Sequence, residues 1–222
     1  MSFFVTGTDT GVGKTLVSCA LVRAYAARGL RVAGFKPVAA GCDSDGLNDD
    51  AKALWAAGNV PLSYAEVNPC CLTQPVAPHL AAAAAGQRIE LAHLVEAYRA
   101  LATRVDRVIV EGAGGFRVPL NDTHDTADLA RALNLGVILV VGMRLGCINH
   151  ALLTCEAIAA RGLTLAGWVA NVRDADMPML DENIAALRER IAAPLLGVIP
   201  FLTAPRDTAV QLDLNLLPGG RT

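Results

Sequence analysis

Short, wholly apolar runs alternate along this chain with longer stretches whose apolar residues recur at helical spacing. The runs at 3–6, 32–35, 107–111, 137–141, 163–171 and 195–199 have strand length. They lack the apolar–polar alternation of a strand with one wet face, so they read as strands buried on both sides. The stretches at 14–28, 91–104, 125–133, 149–161 and 179–191 read as helices. In 91–104 the spacing of Leu91, Leu94, Val95, Tyr98 and Leu101 makes one apolar stripe, and Gly29 and Gly162 stop two of the helices. The alternation predicts an α/β fold: a mostly parallel central sheet with helices on both faces. The alanine run at 81–85 reads as a closely packed helix and the polar segment 41–48 as a loop. The tail beyond Pro200, with Pro205, Pro218 and Gly219-Gly220, carries little structural signal. No repeat or linker divides the chain, which reads as one domain over 1–222.

Composition supports burial. Of the 222 residues 53% are apolar and 18% charged, enough for a large core and against disorder. With a net charge of −2 and no basic tract, no nucleic-acid partner is expected. No stretch reaches the roughly 18 uninterrupted apolar residues of a membrane span, and the start of the chain lacks the basic leader of a secretory signal. The expectation is a cytoplasmic protein with no membrane partner. None of the 6 cysteines forms a CxxC pair and the 4 histidines do not cluster, so all six cysteines are expected to be reduced core or loop residues.

The clearest chemistry lies in Gly7-Thr8-Asp9-Thr10-Gly11-Val12-Gly13-Lys14-Thr15, which follows a strand and opens a helix. Such a loop turns backbone N–H groups toward phosphate oxygens, and the helix N-terminus adds its positive dipole end. Lys14 is placed for the β- and γ-phosphates, and Thr15 for Mg²⁺. The glycine spacing is one residue longer than the common G-x-x-x-x-G-K-[ST] pattern, with Thr8 where the first glycine belongs. The strand 107–111 ends in Glu111, followed by Gly112-Ala113-Gly114-Gly115. Ligands of open parallel sheets sit beyond the carboxyl ends of strands, so Glu111 can meet a metal held by Thr15. Lys36 ends the second strand and points at the same crevice, although an exposed strand-end lysine is the plainer reading. Asp49 and Asp50 read, on the residues alone, as helix-start acids favoured by the dipole. No Gly-x-Ser-x-Gly elbow supports a hydrolase triad. The residues thus give a Mg²⁺- and ATP-binding domain without naming a second substrate.

The chain resembles the dethiobiotin synthetase family, ATP-dependent cyclo-ligases of biotin synthesis with a P-loop NTPase fold. The resemblance rests on Phe4-Val5-Thr6-Gly7-Thr8-Asp9-Thr10, Val12-Gly13-Lys14-Thr15, Gly34-Phe35-Lys36-Pro37-Val38-Ala39, Val67-Asn68-Pro69, Val110-Glu111-Gly112-Ala113-Gly114-Gly115, Leu139-Val140-Val141-Gly142, Leu145-Gly146-Cys147-Ile148-Asn149-His150 and Gly167-Trp168-Val169-Ala170-Asn171. It implies conversion of 7,8-diaminononanoate and CO₂ to dethiobiotin through a carbamate and a carbamic-phosphoric anhydride. It implies Lys14, Lys36 and Thr10 at the reacting groups and Mg²⁺ on Thr15, Asp50 and Glu111, with Asp50 preferred to Asp49. Nucleotide contacts are implied for Gly11, Val12, Gly13, Lys14, Thr15, Leu16, Gly112, Ala113, Gly114, Asn171, Pro200, Phe201, Leu202 and Asp207. The diamine is implied to lie against Thr10, Lys36 and Ala40. Its carboxylate is implied to meet Leu145, Gly146, Cys147, Ile148 and Asn149 of the other subunit of a homodimer, at a helix start suited to anions. Gly11 and Ala40 depart from family members that carry an acid and a serine there. Two other classes compete. A dimeric partitioning or metal-insertion ATPase switch predicts a lysine early in the loop, where Asp9 stands. A cobyric-acid-type amidotransferase predicts a glutaminase domain for which 222 residues leave no room.

Overall fold

The structure is a computed structural model, and it describes residues 1–202 and 210–219. β1 (Phe3–Gly7) leads through the glycine loop into α1 (Lys14–Ala26), then β2 (Val32–Phe35) and a short β3 (Val38–Ala40). α2 (Asp49–Ala57), α3 (Tyr64–Val67), β4 (Cys70–Leu72), α4 (Pro78–Ala84) and α5 (Leu91–Ala102) follow. The second half runs β5 (Arg107–Glu111), α6 (Thr126–Leu133), β6 (Gly136–Met143), α7 (Cys147–Ala160), β7 (Leu165–Val172), α8 (Leu180–Arg190) and β8 (Leu195–Ile199). A single 3₁₀ turn, Leu214–Leu216, follows among the described residues.

The main sheet has six parallel strands in the order β2-β5-β1-β6-β7-β8. Successive residues of each strand face opposite layers. Phe4, Val110 and Val137 join Leu94, Leu101, Leu129 and Ile158 in one layer. Leu139, Val141 and Trp168 extend that side under α7 and α8 with Ala151, Ile184 and Leu187. Phe3, Val5, Ile109 and Val140 face Val17, Leu21, Leu54 and Leu214 on the other side. Both faces of the sheet are thus dry, which accounts for the unbroken apolar runs. Because the chain departs to β2 on one side of β1 and continues to β6 on the other, the carboxyl ends of β5, β1 and β6 bound the crevice at the switch point.

At the opposite edge, Arg107 is buried at the start of β5. It donates through Nη1 to the Met1 carbonyl and through Nη2 to the Gly219 carbonyl, both at 2.9 Å. Its guanidinium also lies 4.2 Å from the centre of the Tyr25 ring.

The structure departs from the sequence reading in three places. β3 and β4, which the apolar pattern does not mark, pair in parallel as a separate two-stranded sheet. α7 begins at Cys147 rather than Asn149, because Gly146 takes a left-handed conformation (φ 93°) and serves as its N-cap. The expectation that all six cysteines are reduced is corrected: Cys42 and Cys71 form a disulfide. Their separation of 29 residues looks unpromising in sequence. The β3–β4 pairing brings the two Cα atoms to 6.0 Å, within bonding range.

Closing a loop of that length restricts the unfolded chain by about 2–4 kcal/mol. Reduction with dithiothreitol is expected to lower the denaturant midpoint by that order. The Cys42→Ser variant should start lower and not respond to the reductant. A wild-type midpoint indifferent to reductant contradicts the bond's contribution.

Candidate active site

The glycine loop is shaped by contacts from the neighbouring strands. The Thr8 N–H donates to the Val140 carbonyl at 3.0 Å, and the Gly142 N–H to Thr8 Oγ1 at 3.3 Å. Asn171, at the end of β7 and buried, donates through Nδ2 to the Val12 carbonyl at 2.7 Å. Gly13 has φ 93°, and a Cβ there would stand 2.1 Å from Asn171 Nδ2. Both conformation and space therefore require glycine. No side chain among the described residues caps α1, so its first N–H groups are left to a ligand. The second glycine run closes against the first: a Cβ on Gly114 would meet Thr10 Oγ1 at 3.6 Å, and one on Gly115 the Gly7 carbonyl at 3.7 Å.

Below this loop lies a buried ionic cluster. Register places Phe35 opposite Val110 and Val5 opposite Glu111, so Lys36 leaves β2 beside the end of β5. Lys36 Nζ donates to Glu111 Oε1 at 2.5 Å, to the Gly112 carbonyl at 3.3 Å and to Asp50 Oδ2 at 3.4 Å. Thr15 Oγ1 donates to Glu111 Oε1 at 3.0 Å. Glu111 is 0% exposed and Lys36 4%, so the reading of Lys36 as an exposed strand-end lysine is corrected. Burial disfavours the Lys36 ammonium, but the carboxylates of Glu111 and Asp50 outweigh it and hold its pKa above the ordinary value. Asp50, at the start of α2, is likewise opposed by burial yet held below the ordinary carboxylate range by Lys36. Asp49 is highly exposed and pairs with Lys52, as a helix-start acid does. The plain helix-start reading therefore holds for Asp49, whereas Asp50 turns into the cluster.

Burial, then the neighbouring Lys36 ammonium, pushes Lys14 down to about 8. Its Nζ donates to the Asp9 carbonyl at 3.0 Å. Two like charges near one another under a glycine loop are an arrangement for an anion, since phosphate oxygens relieve the repulsion. The residues also fit a divalent cation: Glu111 Oε2 is buried with no hydrogen-bond partner among the described residues. With the Asp50 carboxylate and the Thr15 hydroxyl it offers hard oxygen donors. No group of three or more His, Cys, Asp or Glu forms a complete metal cage among the described residues. Mg²⁺ takes one or two carboxylates and fills its remaining positions with phosphate and water.

Thr10, Gly11, Val12 and Phe201 line a cleft of about 570 Å³ together with Arg144, Arg173, Asp174 and Ala175. Arg144 pairs with Asp9 at 2.5 Å. No motif marks Arg144 or Arg173; the available signal was that each follows a strand, at the carboxyl edge where ligands bind. Ala40 ends β3 and accepts through its carbonyl from Asn48 Nδ2 at 3.2 Å. Leu202 is partly buried against the α1 layer, and Pro200 directly follows β8. Leu145 to Asn149 lie at the start of α7 and do not line the cleft of their own chain; Leu145 is 94% exposed. Asp207 lies outside the described residues.

Lys14 loses its proton near pH 8 when folded and near its ordinary 10.5 when unfolded. Its burial therefore destabilises the fold fully below pH 8, and the penalty fades as pH rises to 10.5. Lys14→Met is expected to raise the ligand-free stability at pH 7 by on the order of 1–3 kcal/mol, and to flatten the stability rise above pH 8. It should also abolish phosphate binding. An unchanged melting temperature at pH 7 contradicts this.

A family model described as AAA domain matches residues 1–207. Among solved structures, a ParA family ATPase from Chlorobium tepidum superposes with a TM-score of 0.55 at 14% identity, covering 90% of this chain and 84% of that one. The MinD cell division protein of Aquifex aeolicus gives 0.53 at 14% identity, over 90% and 81%. At such identity these likenesses concern the fold alone. The sequence relatives are much nearer. The ATP-dependent dethiobiotin synthetase BioD of Aromatoleum aromaticum is 55% identical over 221 residues, 98% of either chain. That of Ralstonia nicotianae is 57% identical over 218 residues, 97% of this chain and 95% of the relative. At these identities over nearly the whole length, the chain belongs to the ATP-dependent dethiobiotin synthetase family.

Proposed function

We propose that this site converts 7,8-diaminononanoate, CO₂ and ATP to dethiobiotin, ADP and phosphate, as a cyclo-ligase of biotin synthesis. The observation that carries the reading is the buried Lys36–Glu111–Thr15 cluster under the glycine loop, in a chain whose relatives bear that activity in their names. One amine adds to CO₂ and gives a carbamate. A carbamate oxygen attacks the γ-phosphorus of ATP, and ADP leaves. The second amine attacks the carbonyl carbon of the resulting anhydride, forms the ureido ring and expels phosphate.

Phosphoryl transfer of this kind needs positioning and charge stabilisation more than bond-making by the protein. Lys14 and Lys36 supply positive charge around the transferred group, and Thr10 flanks the carbamate. The loop amides from Gly11 to Leu16 and the Gly112-Ala113-Gly114 run cradle the phosphates. Thr15, Asp50 and Glu111 hold Mg²⁺, which when bound neutralises phosphate charge. Asn171 gives one N–H to the Val12 carbonyl, which leaves its second N–H and its carbonyl oxygen for the base, with Pro200, Phe201 and Leu202 beside the base. Asp207 is assigned a further nucleotide contact by resemblance alone. Supply of ATP and CO₂ favours the cytoplasm, where the Cys42–Cys71 pair would meet reducing conditions. No helix among the described residues is long and apolar enough to cross a membrane.

A homodimer completes the site in this reading. Leu145, just before α7, is 94% exposed and Leu153 on α7 57%, apolar surface that a second copy would cover. The diamine's carboxylate would meet Leu145 to Asn149 of that copy, and Ala40 of the first would face the substrate chain.

The primary test is phosphate release from MgATP and bicarbonate, with and without the diamine. Release that depends on the diamine, with dethiobiotin appearing in step, is expected; release indifferent to the diamine overturns the assignment. Lys36→Gln should lower kcat by about 10²–10³-fold. Leu153→Glu is expected to give monomers by sedimentation, with diamine turnover lost and MgADP binding kept. A fully active monomer overturns the shared site.

A further inference from the structure

The Val67-Asn68-Pro69 run takes no part in the chemistry above, yet it grips Lys36 from behind. The Lys36 N–H donates to the Val67 carbonyl at 2.8 Å. The Lys36 carbonyl accepts from Asn68 Nδ2 at 2.6 Å. Both backbone groups of the lysine are therefore held by the end of α3. That four-residue helix forms because Ser63 and Glu66 make a reciprocal capping box, and Asn68 is its C-cap.

Asn68 connects further. Its Oδ1 accepts from the Tyr64 hydroxyl at 3.1 Å. The same hydroxyl accepts from the Asn48 N–H at 2.8 Å. Asn48 is the N-cap of α2, and its Oδ1 accepts from the N–H groups of Asp50 at 3.1 Å and Ala51 at 3.3 Å. One phenol hydroxyl thus joins the segment carrying Lys36 to the helix start carrying Asp50. Among the described residues Asn68 also donates to the Cys70 carbonyl at 3.2 Å, and the Tyr64 hydroxyl meets Cys71 Sγ at 3.8 Å; neither residue lines the cleft beside the glycine loop.

The geometry points to Tyr64 and Asn68 as positioning residues that set the 3.4 Å approach of Lys36 Nζ to Asp50 Oδ2, and so the placing of both groups for phosphoryl transfer. This deepens the function proposed above and rests on it. Small misplacements of reacting groups lower turnover more than binding, because the aligned geometry is needed chiefly in the transition state.

Tyr64→Phe isolates the hydroxyl. The ring packs edge-on against Trp55 at 6.0 Å, a contact phenylalanine keeps. The variant is expected to lose about tenfold in kcat, with KM for diamine and MgATP within about twofold. Asn68→Asp keeps the acceptor for Tyr64 but loses the donor to Lys36, and should lose kcat similarly. In a Lys36→Gln background, Tyr64→Phe should bring clearly less than its full loss, since part of its effect acts through Lys36. Hydrogen exchange supplies a readout independent of the reaction. The amides of Lys36, Asp50 and Ala51 should exchange about tenfold faster in Tyr64→Phe, while those of β1 and β6 stay unchanged. Unchanged exchange, an unchanged kcat, or a full multiplicative loss in the Lys36→Gln background overturns the proposal. If the wild-type chain shows no diamine-dependent turnover, the function fails instead, and the exchange result alone decides whether the coupling exists.

Discussion

The contact between Lys36 and Glu111 is the constraint around which the rest of the site is arranged. Two opposite charges removed from water gain little unless their geometry is close and their remaining bonds are made. Here the geometry is a product of strand register. β2 and β5 pair so that Phe35 faces Val110, and the next residue of each strand brings the ammonium and the carboxylate together. A slip of β2 by one residue would turn Lys36 to the other layer and away from Glu111. The apolar packing of Phe4, Val110 and Phe35 therefore fixes the chemistry indirectly, by forbidding that slip. Glu111 in turn orients Thr15 and keeps its second oxygen unpaired, so one buried carboxylate orders both sides of the phosphate-binding mouth.

The pair also shows how a site can be unstable locally and still be kept. Burial, and then the nearby Lys36 ammonium, depresses Lys14, and Glu111 holds a carboxylate with no exposed surface. Each feature opposes folding of the empty protein. Such strain is expected where binding energy is reserved for a charged ligand.

Much of this was legible in the chain. The strands appear within a residue or two of where the apolar runs put them, and Lys14, Thr15 and Glu111 are marked by motif and strand-end position. Lys36 and Asp50 were not decided by the residues themselves, because their burial depends on which strands become neighbours. The three-residue strands β3 and β4 are too short to carry a period, so the Cys42–Cys71 bond between them was invisible as well. The helical start at Gly146 was misplaced because a left-handed cap leaves only a glycine as its trace. Arg144 and Arg173 carry no motif beyond following a strand; a cleft drawn from four separated segments gives them their place.

The guanidinium of Arg107 holds the carbonyls of Met1 and Gly219 on neighbouring nitrogens. The two ends of the described chain therefore meet at the amino edge of the parallel sheet, across the molecule from the phosphate loop. One guanidinium thus ties together two segments far apart in sequence, and its loss would loosen both at once on the side of the sheet away from the phosphate loop.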